Sequence, residues 1–140
     1  MNGVILTAHG KFPEGLKDGL QLIAGTQENL IAVNFLQGDG TSGLDEKLSK
    51  ALDNLKSYKN IVILTDLAGG TPFNRSVLLT SEMKNVQVLA GTNFQMLYTA
   101  VFDGSDNLEE LVENIVSEGK NGIISYEFNN KEEELEEDGI

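Results

Sequence analysis

The sequence predicts an α/β fold in which one parallel β-sheet is covered by helices on both faces. Two observations lead to this prediction: short apolar runs alternate with amphipathic helical segments over four units, and the runs are apolar at nearly every position. Continuous apolar runs are typical of strands that are buried on both faces. The alternation of strands and helices favours parallel pairing through crossover helices.

The first unit begins with GVILTA at 3–8, which is a predicted strand. A helix follows, because apolar residues recur there at helical spacing. Pro13 suits the first turn of this helix and Gly25 suits its end. The next apolar run, LIAVNFL at 30–36, is the second predicted strand.

The second unit continues with GDGTSG at 38–43, which is expected to form a flexible glycine-rich loop. It has neither the lysine of a phosphate-binding loop nor dinucleotide-binding spacing. A helix is predicted from about Leu44 to Leu55, with Ser42 as a possible cap. NIVILT at 60–65 is the third predicted strand.

The second half of the chain supplies the remaining elements. A helix is predicted over 72–83 and a fourth strand over 86–90. Two consecutive helices are predicted next, over 93–102 and 107–119. GIISYEF at 122–128 predicts a last strand, whose direction and partner the pattern does not determine.

Length and charge predict one domain over residues 1–128 and a disordered acidic tail over 129–140. The formal net charge of −12 disfavours binding to nucleic acid and to anionic membranes. It either steers basic protein partners or serves solubility alone. We expect neither a secretory signal nor a membrane helix. The lack of cysteine excludes disulfides and thiolate chemistry and is compatible with the cytoplasm.

The only histidine, His9, follows the first strand, and Asp66 ends the third. In a flavodoxin-like open sheet of order 2-1-3-4, these strands are neighbours where the strand order reverses, and sites form at that point. We therefore expect the two side chains to face each other. A carboxylate on one ring nitrogen orients the imidazole and leaves the other nitrogen as a nucleophile or base. The structural alternative is a histidine satisfied by a loop carbonyl.

The sequence GGTP after the third strand predicts an anion site at a helix start. Gly69 and Gly70 allow close backbone approach, and Thr71 suits an N-cap. The free N–H groups would receive a phosphoryl group on His9, with the Thr71 hydroxyl as an added donor. A well-formed helix start after a tight turn is the plainer alternative.

Four further side chains are candidates for the rim of this site: Phe12, Phe35, Asn74 and Arg75. The two phenylalanines lie near strand ends, where they would contact a partner or belong to the core. Asn74 and Arg75 lie in the first turns of the helix after GGTP. Arg75 would either neutralise an anion or face solvent.

The sequences VILTAHG and ILTDLAGGTPFN resemble those of the IIA component, mannose family, of the bacterial phosphotransferase system. The resemblance covers residues 1 to about 126. It implies that His9 accepts a phosphoryl group from the phosphohistidine of the carrier protein HPr. It further implies transfer to a histidine of a IIB component, which phosphorylates a sugar entering through a membrane permease.

The resemblance also implies roles for individual residues. The His9 ring would carry the phosphoryl group on Nε2 while Asp66 bonds Nδ1, and Thr71 would lie near the phosphoryl group. No metal or nucleotide cofactor takes part in the family's transfer step. Family members are similar in forming homodimers, which implies that the last strand, here about 122–126, pairs with the partner subunit. The acidic tail resembles the linker that joins a IIA domain to a IIB domain in some members of the family. The chain stops within this tail, so we expect the IIB partner to be a separate protein.

Three alternatives remain open. The phosphoryl-transfer subunit of the dihydroxyacetone kinase system shares the histidine after strand 1, although GGTPFN fits the sugar-transport branch better. A regulatory module would be phosphorylated at the same histidine without passing the group onward. A metal chelatase, suggested by AHG, would need a second histidine or several carboxylates in the crevice, and the chain has no second histidine.

Overall fold

The computed structural model describes residues 1–128 and 139–140. The strands are β1 (Gly3–His9), β2 (Leu30–Phe35), β3 (Ile61–Thr65) and β4 (Val86–Leu89). The helices are α1 (Phe12–Ala24), α2 (Gly40–Asn54), α3 (Thr71–Thr80), α4 (Phe94–Phe102) and α5 (Leu108–Asn121). The sheet order is β2-β1-β3-β4 and every pairing is parallel, which confirms the predicted fold class.

The central strand β1 is buried on both faces, which explains its continuous apolar sequence. Val4 and Leu6 pack in a core cluster with α1, α4 and α5. Ile5 points the other way, into a cluster to which α2 and α3 contribute. Alternate side chains of one strand therefore serve the two helical layers. His9 lies on the same face of β1 as Ile5 and ends the strand.

Helix α2 begins at Gly40, four residues before the predicted start, so GTSG is helical and the predicted loop is wrong. Ser42 lies inside the helix, and the residue before the helix is Asp39. Gly38 and Gly40 have positive φ values of 93° and 63° and form the tight turn that leads into α2. Because glycines are also frequent in flexible loops, their presence led to the wrong prediction. The glycine-rich sequence serves a tight entry to the helix instead of a flexible loop.

The carboxyl-terminal segment after α5 forms no strand within the chain over residues 123–128. Its large apolar side chains are exposed: Ile123 by 77%, Ile124 by 84%, Tyr126 by 54% and Phe128 by 93%. The strand expected over 122–128 therefore lacks a partner in the single chain, and pairing across a dimer stays a prediction. The expected acidic tail lies outside the described residues, except for its last two.

No helix in the described part of the chain is long and apolar enough to cross a membrane. The longest described helix, α2, has 15 residues, and five of its side chains are charged at neutral pH. About 20 mostly apolar residues are needed to span the hydrocarbon core.

Candidate active site

The structure brings His9 and Asp66 together at the carboxyl edge of the sheet. His9 is the last residue of β1, and Asp66 directly follows β3, which is the neighbouring strand. The Nδ1 atom of His9 lies 2.8 Å from Oδ2 of Asp66. The side chain of His9 is 48% exposed and that of Asp66 is 23% exposed. The pair is thus preorganised but open to a large partner.

The Asp66 carboxylate is held by three hydrogen-bond donors. Oδ2 accepts a hydrogen bond from the main-chain N–H of His9 at 3.1 Å, and the same oxygen faces Nδ1 of the His9 ring. Oδ1 accepts a hydrogen bond from the main-chain N–H of Leu67 at 2.8 Å. Partial burial raises the pKa of Asp66, but the hydrogen bonds from His9 and Leu67 outweigh it, so the pKa lies below its ordinary value. An ionised carboxylate only accepts hydrogen bonds, so Nδ1 carries a proton. In the neutral ring the free lone pair is then on Nε2.

The loop after β3 borders a second edge of the imidazole. A Cβ on Gly70 would lie 3.0 Å from Cε1 of His9 and 3.2 Å from the carbonyl oxygen of Leu67. Any side chain at this position would therefore push against the ring. Gly69 has a φ of 82°, the left-handed region that favours glycine. The two glycines have different tasks: Gly69 makes the turn and Gly70 makes room.

Helix α3 starts beside the ring, with Thr71 as its first residue and Gly70 as its N-cap. The prediction that Thr71 is the N-cap is therefore wrong, and no side chain caps this helix. Pro72 has no N–H, so the unpaired donors of the first turn are the N–H groups of Thr71 and Phe73. Such donors, together with the helix dipole, favour an anion.

Asn74 and Arg75 are both hydrogen-bonded to groups of the protein itself. Asn74 donates from Nδ2 to the carbonyl oxygen of Gly69 at 3.0 Å and so holds the glycine turn. Arg75 binds Asp45 of α2 through two hydrogen bonds, Nε to Oδ1 at 2.8 Å and Nη2 to Oδ2 at 2.6 Å. The Arg75 guanidinium therefore joins α2 to α3, a contact that the sequence analysis did not predict.

The two predicted phenylalanines have different surroundings. Phe12 opens α1 and is 44% exposed, so it lies at the rim. Phe35 ends β2, is half-buried and packs against the cluster on the α2 face. Its ring also meets that of His9 edge to face, with centroids 5.9 Å apart and an angle of 66° between the planes. Phe35 therefore belongs both to the core and to the site.

Two rim residues were missed by the sequence analysis. Leu36 follows β2 and is 37% exposed, and Leu67 follows Asp66 and is 62% exposed. Both are large apolar side chains just beyond strands whose carboxyl ends meet at one edge. That position was the available signal, because a strand end in an open sheet faces the site.

Among residues 1–128 and 139–140, no three His, Cys, Asp or Glu side chains lie close enough to share a metal ion. His9 and Asp66 supply two groups, and they are engaged with each other. A catalytic zinc site typically has three protein ligands.

Known protein sequences are similar to this chain. A family model described as "PTS system fructose IIA component" matches residues 3–116. The PTS system fructose-specific EIIA component of Bacillus subtilis is 37% identical over 97 residues, which are 69% of this chain and 66% of that protein. The PTS system mannose-specific EIIAB component of Escherichia coli K12 is 30% identical over 122 residues, 86% of this chain. The match spans only 38% of the Escherichia coli protein.

Solved structures agree over nearly their whole length. The phosphotransferase system component EIIA from Streptococcus agalactiae has a TM-score of 0.81 and 36% identity, covering 89% of this chain and 97% of that one. The mannose/sorbose-specific IIA subunit from Enterococcus faecalis has a TM-score of 0.84 and 26% identity, covering 94% and 98%. Because the family model covers more than half of the sequence, this chain belongs to the family of PTS IIA components, and the resemblance to its mannose-type members is confirmed.

Proposed function

We propose that this protein is a phosphoryl carrier that accepts a phosphoryl group on Nε2 of His9 and passes it to the next protein of a sugar phosphotransferase relay. The observation that carries this proposal is the contact between His9 Nδ1 and Asp66, which leaves Nε2 free at an open edge of the sheet. Family membership supports the general role. The relatives are named for three different sugars: fructose, mannose and sorbose. The proposal therefore names a sugar relay without naming the sugar.

The accepting step needs only alignment and charge stabilisation from the protein. The Nε2 lone pair attacks the phosphorus of the donor's phosphohistidine, and a new P–N bond forms. The P–N bond of the donor breaks, and its electron pair returns to the donor's ring nitrogen. His9 keeps its proton on Nδ1, so the ring becomes cationic, and the Asp66 carboxylate stabilises that charge. Onward transfer is the same exchange with a different partner.

The start of α3 supplies the oxyanion contacts for the phosphoryl group. The N–H groups of Thr71 and Phe73 lack partners within the helix and point out of its first turn. Gly70 borders the ring without a side chain, so a group on Nε2 can approach them. The Thr71 hydroxyl is a further donor in this proposal. These fixed dipoles are worth most when the docked partner excludes water.

The partners are proteins in this proposal, with HPr as the donor and a IIB component as the acceptor that acts for a sugar permease. Each must present a histidine to the same nitrogen, which demands an open site with an adaptable rim. Three apolar side chains supply that rim: Phe12, Leu36 and Leu67. The net charge of −12 steers partners whose active-site surroundings are basic. We propose the cytoplasm as the location of this relay.

A homodimer is part of the same proposal. The sheet ends at β4, whose outer edge has no strand partner within the described chain. Residues 122–126 include three exposed apolar side chains, Ile123, Ile124 and Tyr126, which pairing with a second copy would cover. Pairing would cover these side chains and satisfy the open edge. No nucleic acid and no metal cofactor have a role in this proposal.

A phosphotransfer assay with intact-mass detection tests the carrier role. The protein is mixed with phosphoenolpyruvate, enzyme I and HPr, and His9→Ala is treated in parallel. We expect one acid-labile phosphoryl group on the wild type and none on the variant. Phosphorylation of His9→Ala, or a folded wild type that accepts nothing, would overturn the proposal.

The acceptor separates the proposal from its two nearest alternatives. A relay protein loses its phosphoryl group rapidly when a IIB component is added. A regulatory module keeps it, and a subunit of the dihydroxyacetone kinase system transfers it to the other subunits of that kinase instead. Following the intact mass with each acceptor distinguishes the three outcomes.

A further inference from the structure

The ring of Phe35 forms a wall beside the imidazole of His9. The two residues are direct neighbours across the β1–β2 ladder, so their side chains leave the same face of the sheet. Their ring centroids are 5.9 Å apart and their planes cross at 66°. The carbonyl oxygen of Phe35 also accepts the N–H of Gly10 at 2.8 Å. Phe35 is therefore tied to both the side chain and the backbone at the end of β1.

Phe35 is itself held on both sides along the chain. The carbonyl oxygen of Asn34 accepts from Nζ of Lys47 at 3.1 Å. The N–H of Leu36 donates to Oδ2 of Asp39 at 2.7 Å, and the same carboxylate oxygen accepts from Lys47 at 2.8 Å. The backbone before and after Phe35 is thus fastened to α2 and its entry turn. These bonds hold the backbone on either side of Phe35, and the Phe35 ring itself packs against the cluster on the α2 face.

The imidazole needs such a wall because one hydrogen bond does not fix its orientation. The terminal torsion of histidine is broad, so a ring held only at Nδ1 swings about that contact. Asp66 holds Nδ1, and Gly70 borders Cε1. Phe35 packs against the ring from β2, which lies on the opposite side of β1 from β3. The ring is therefore confined between the two neighbouring strands.

We infer that Phe35 is a positioning residue, which holds the His9 ring so that Nε2 is directed at the start of α3 and at the incoming partner before the partner arrives. This inference rests on the proposed carrier function. It attributes part of the rate of phosphoryl transfer to the position in which Phe35 holds the ring. Phe35 acts through His9 and does not touch the phosphoryl group. It differs in this respect from the exposed rim residues Phe12 and Leu67, which are free to contact a partner.

Two substitutions at Phe35 and one matched control separate positioning from stability. Phe35→Leu keeps an apolar side chain but removes the ring, whereas Phe35→Tyr keeps the ring. Phe94→Leu is the control, because Phe94 is also half-buried but packs against the cluster on the other face of the sheet. Thermal unfolding of all three variants shows how much each loses in stability.

Single-turnover transfer from phospho-HPr, measured over a range of HPr concentrations, gives the kinetic test. In Phe35→Leu the maximal rate constant is expected to fall about ten- to a hundredfold, since a small misplacement of reacting atoms has effects of this size. The half-saturating HPr concentration stays unchanged, Phe35→Tyr restores the rate, and Phe94→Leu transfers normally. An unchanged maximal rate in Phe35→Leu, or an effect confined to half-saturation, would overturn the inference.

Nuclear magnetic resonance of the imidazole nitrogens provides a readout that does not need phosphorylation. Because His9 is the only histidine, its ring signals are unambiguous. In the wild type we expect one persistent tautomer of His9 and contacts between the His9 and Phe35 ring protons. In Phe35→Leu we expect the imidazole to sample several orientations, so that its signals are averaged over them. If the wild type accepts no phosphoryl group, the proposed function fails and this measurement alone decides the inference. Identical nitrogen shifts and line widths in the two proteins would overturn it.

Discussion

One carboxylate oxygen of Asp66 binds His9 twice, once at the ring and once at the main chain. Oδ2 lies 2.8 Å from Nδ1 and 3.1 Å from the main-chain nitrogen of the same residue. The ring and the main chain of His9 are therefore both held by one oxygen of the residue that directly follows β3. This arrangement fixes which ring nitrogen carries the proton and anchors the Nδ1 edge of the ring.

Replacement of Asp66 by asparagine should slow phosphorylation while preserving the fold. The amide can still accept a hydrogen bond, but it lacks the charge that stabilises a cationic ring. We expect the transfer rate from phospho-HPr to fall about ten- to a hundredfold, the usual effect of losing such a partner. Asp45→Asn is the control, since that carboxylate binds Arg75 on the helical layer. Equal rates for the wild type and Asp66→Asn would contradict the role of Asp66.

Replacement of Gly70 by alanine should disturb the His9 ring and crowd the Leu67 carbonyl oxygen, which would lie 3.2 Å from the new Cβ. Gly70 has φ −73° and ψ 165°, which alanine adopts without strain. The new Cβ would lie 3.0 Å from Cε1 of His9, so the imidazole must shift. The phosphorylation rate is expected to fall about tenfold or more, with the fold retained.

Gly15→Ala is the matched control for this substitution. Gly15 lies in α1, and a Cβ there meets nothing within 4 Å. The variant should phosphorylate normally and gain about 0.5–1 kcal/mol in unfolding free energy, because alanine is favoured in helices. A Gly70→Ala protein that accepts phosphate as fast as Gly15→Ala would show that the contact with His9 is unimportant.

Much of this site follows from the positions of residues relative to strand ends. Continuous apolar runs identify the buried strands, and the reversal of strand order then brings His9 and Asp66 to one crevice. These features depend on short stretches of sequence and on one topological rule. Phe35, the last residue of β2, could be predicted as a candidate for the same reason. Its contact with the His9 ring could not be predicted in this way.

The remaining features depend on packing that periodicity does not encode. The pair between Arg75 and Asp45 joins residues 30 positions apart and exists only because α2 and α3 lie side by side. The early start of α2 escaped prediction because Gly40 is a poor helix former, yet its positive φ completes the entry turn. Residues 123–128 form no strand with the other described residues, so the apolar pattern that suggested a strand is not matched by a partner strand among them.

The pair between Arg75 and Asp45 should contribute stability that disappears in acid. The hydrogen bond from Arg75 lowers the pKa of Asp45 in the folded protein below its ordinary value of 3.8. A lowered folded pKa means that the contribution is complete above the unfolded value and is lost as the pH falls through the folded one. Arg75 stays charged throughout, since its own pKa is raised.

Urea unfolding of the wild type and Asp45→Asn between about pH 7 and about pH 2 measures this contribution. The difference in unfolding free energy should be constant from neutral pH down to the ordinary carboxyl range and shrink below it. Asp53→Asn is a suitable control, because Asp53 lies on the same helix with a side chain that is 71% exposed. A difference that persists unchanged at the acid limit would show that the charge of Asp45 is not what stabilises the protein.

The segment after α5 should determine whether the protein dimerises. Its apolar side chains at 123, 124, 126 and 128 are exposed by 54% to 93%, an unfavourable arrangement for an isolated chain in water. Among the described residues, β2 and β4 are the two edge strands of the sheet, and α5, which precedes this segment, packs beside β4. Truncation after residue 128 removes only the acidic tail, whereas truncation after residue 122 removes the apolar segment as well. We expect the longer form to remain a dimer with an unchanged melting temperature and the shorter form to be a monomer, as measured by light scattering and thermal unfolding. Dimerisation of the shorter form, or a monomeric full-length protein, would rule out pairing through this segment.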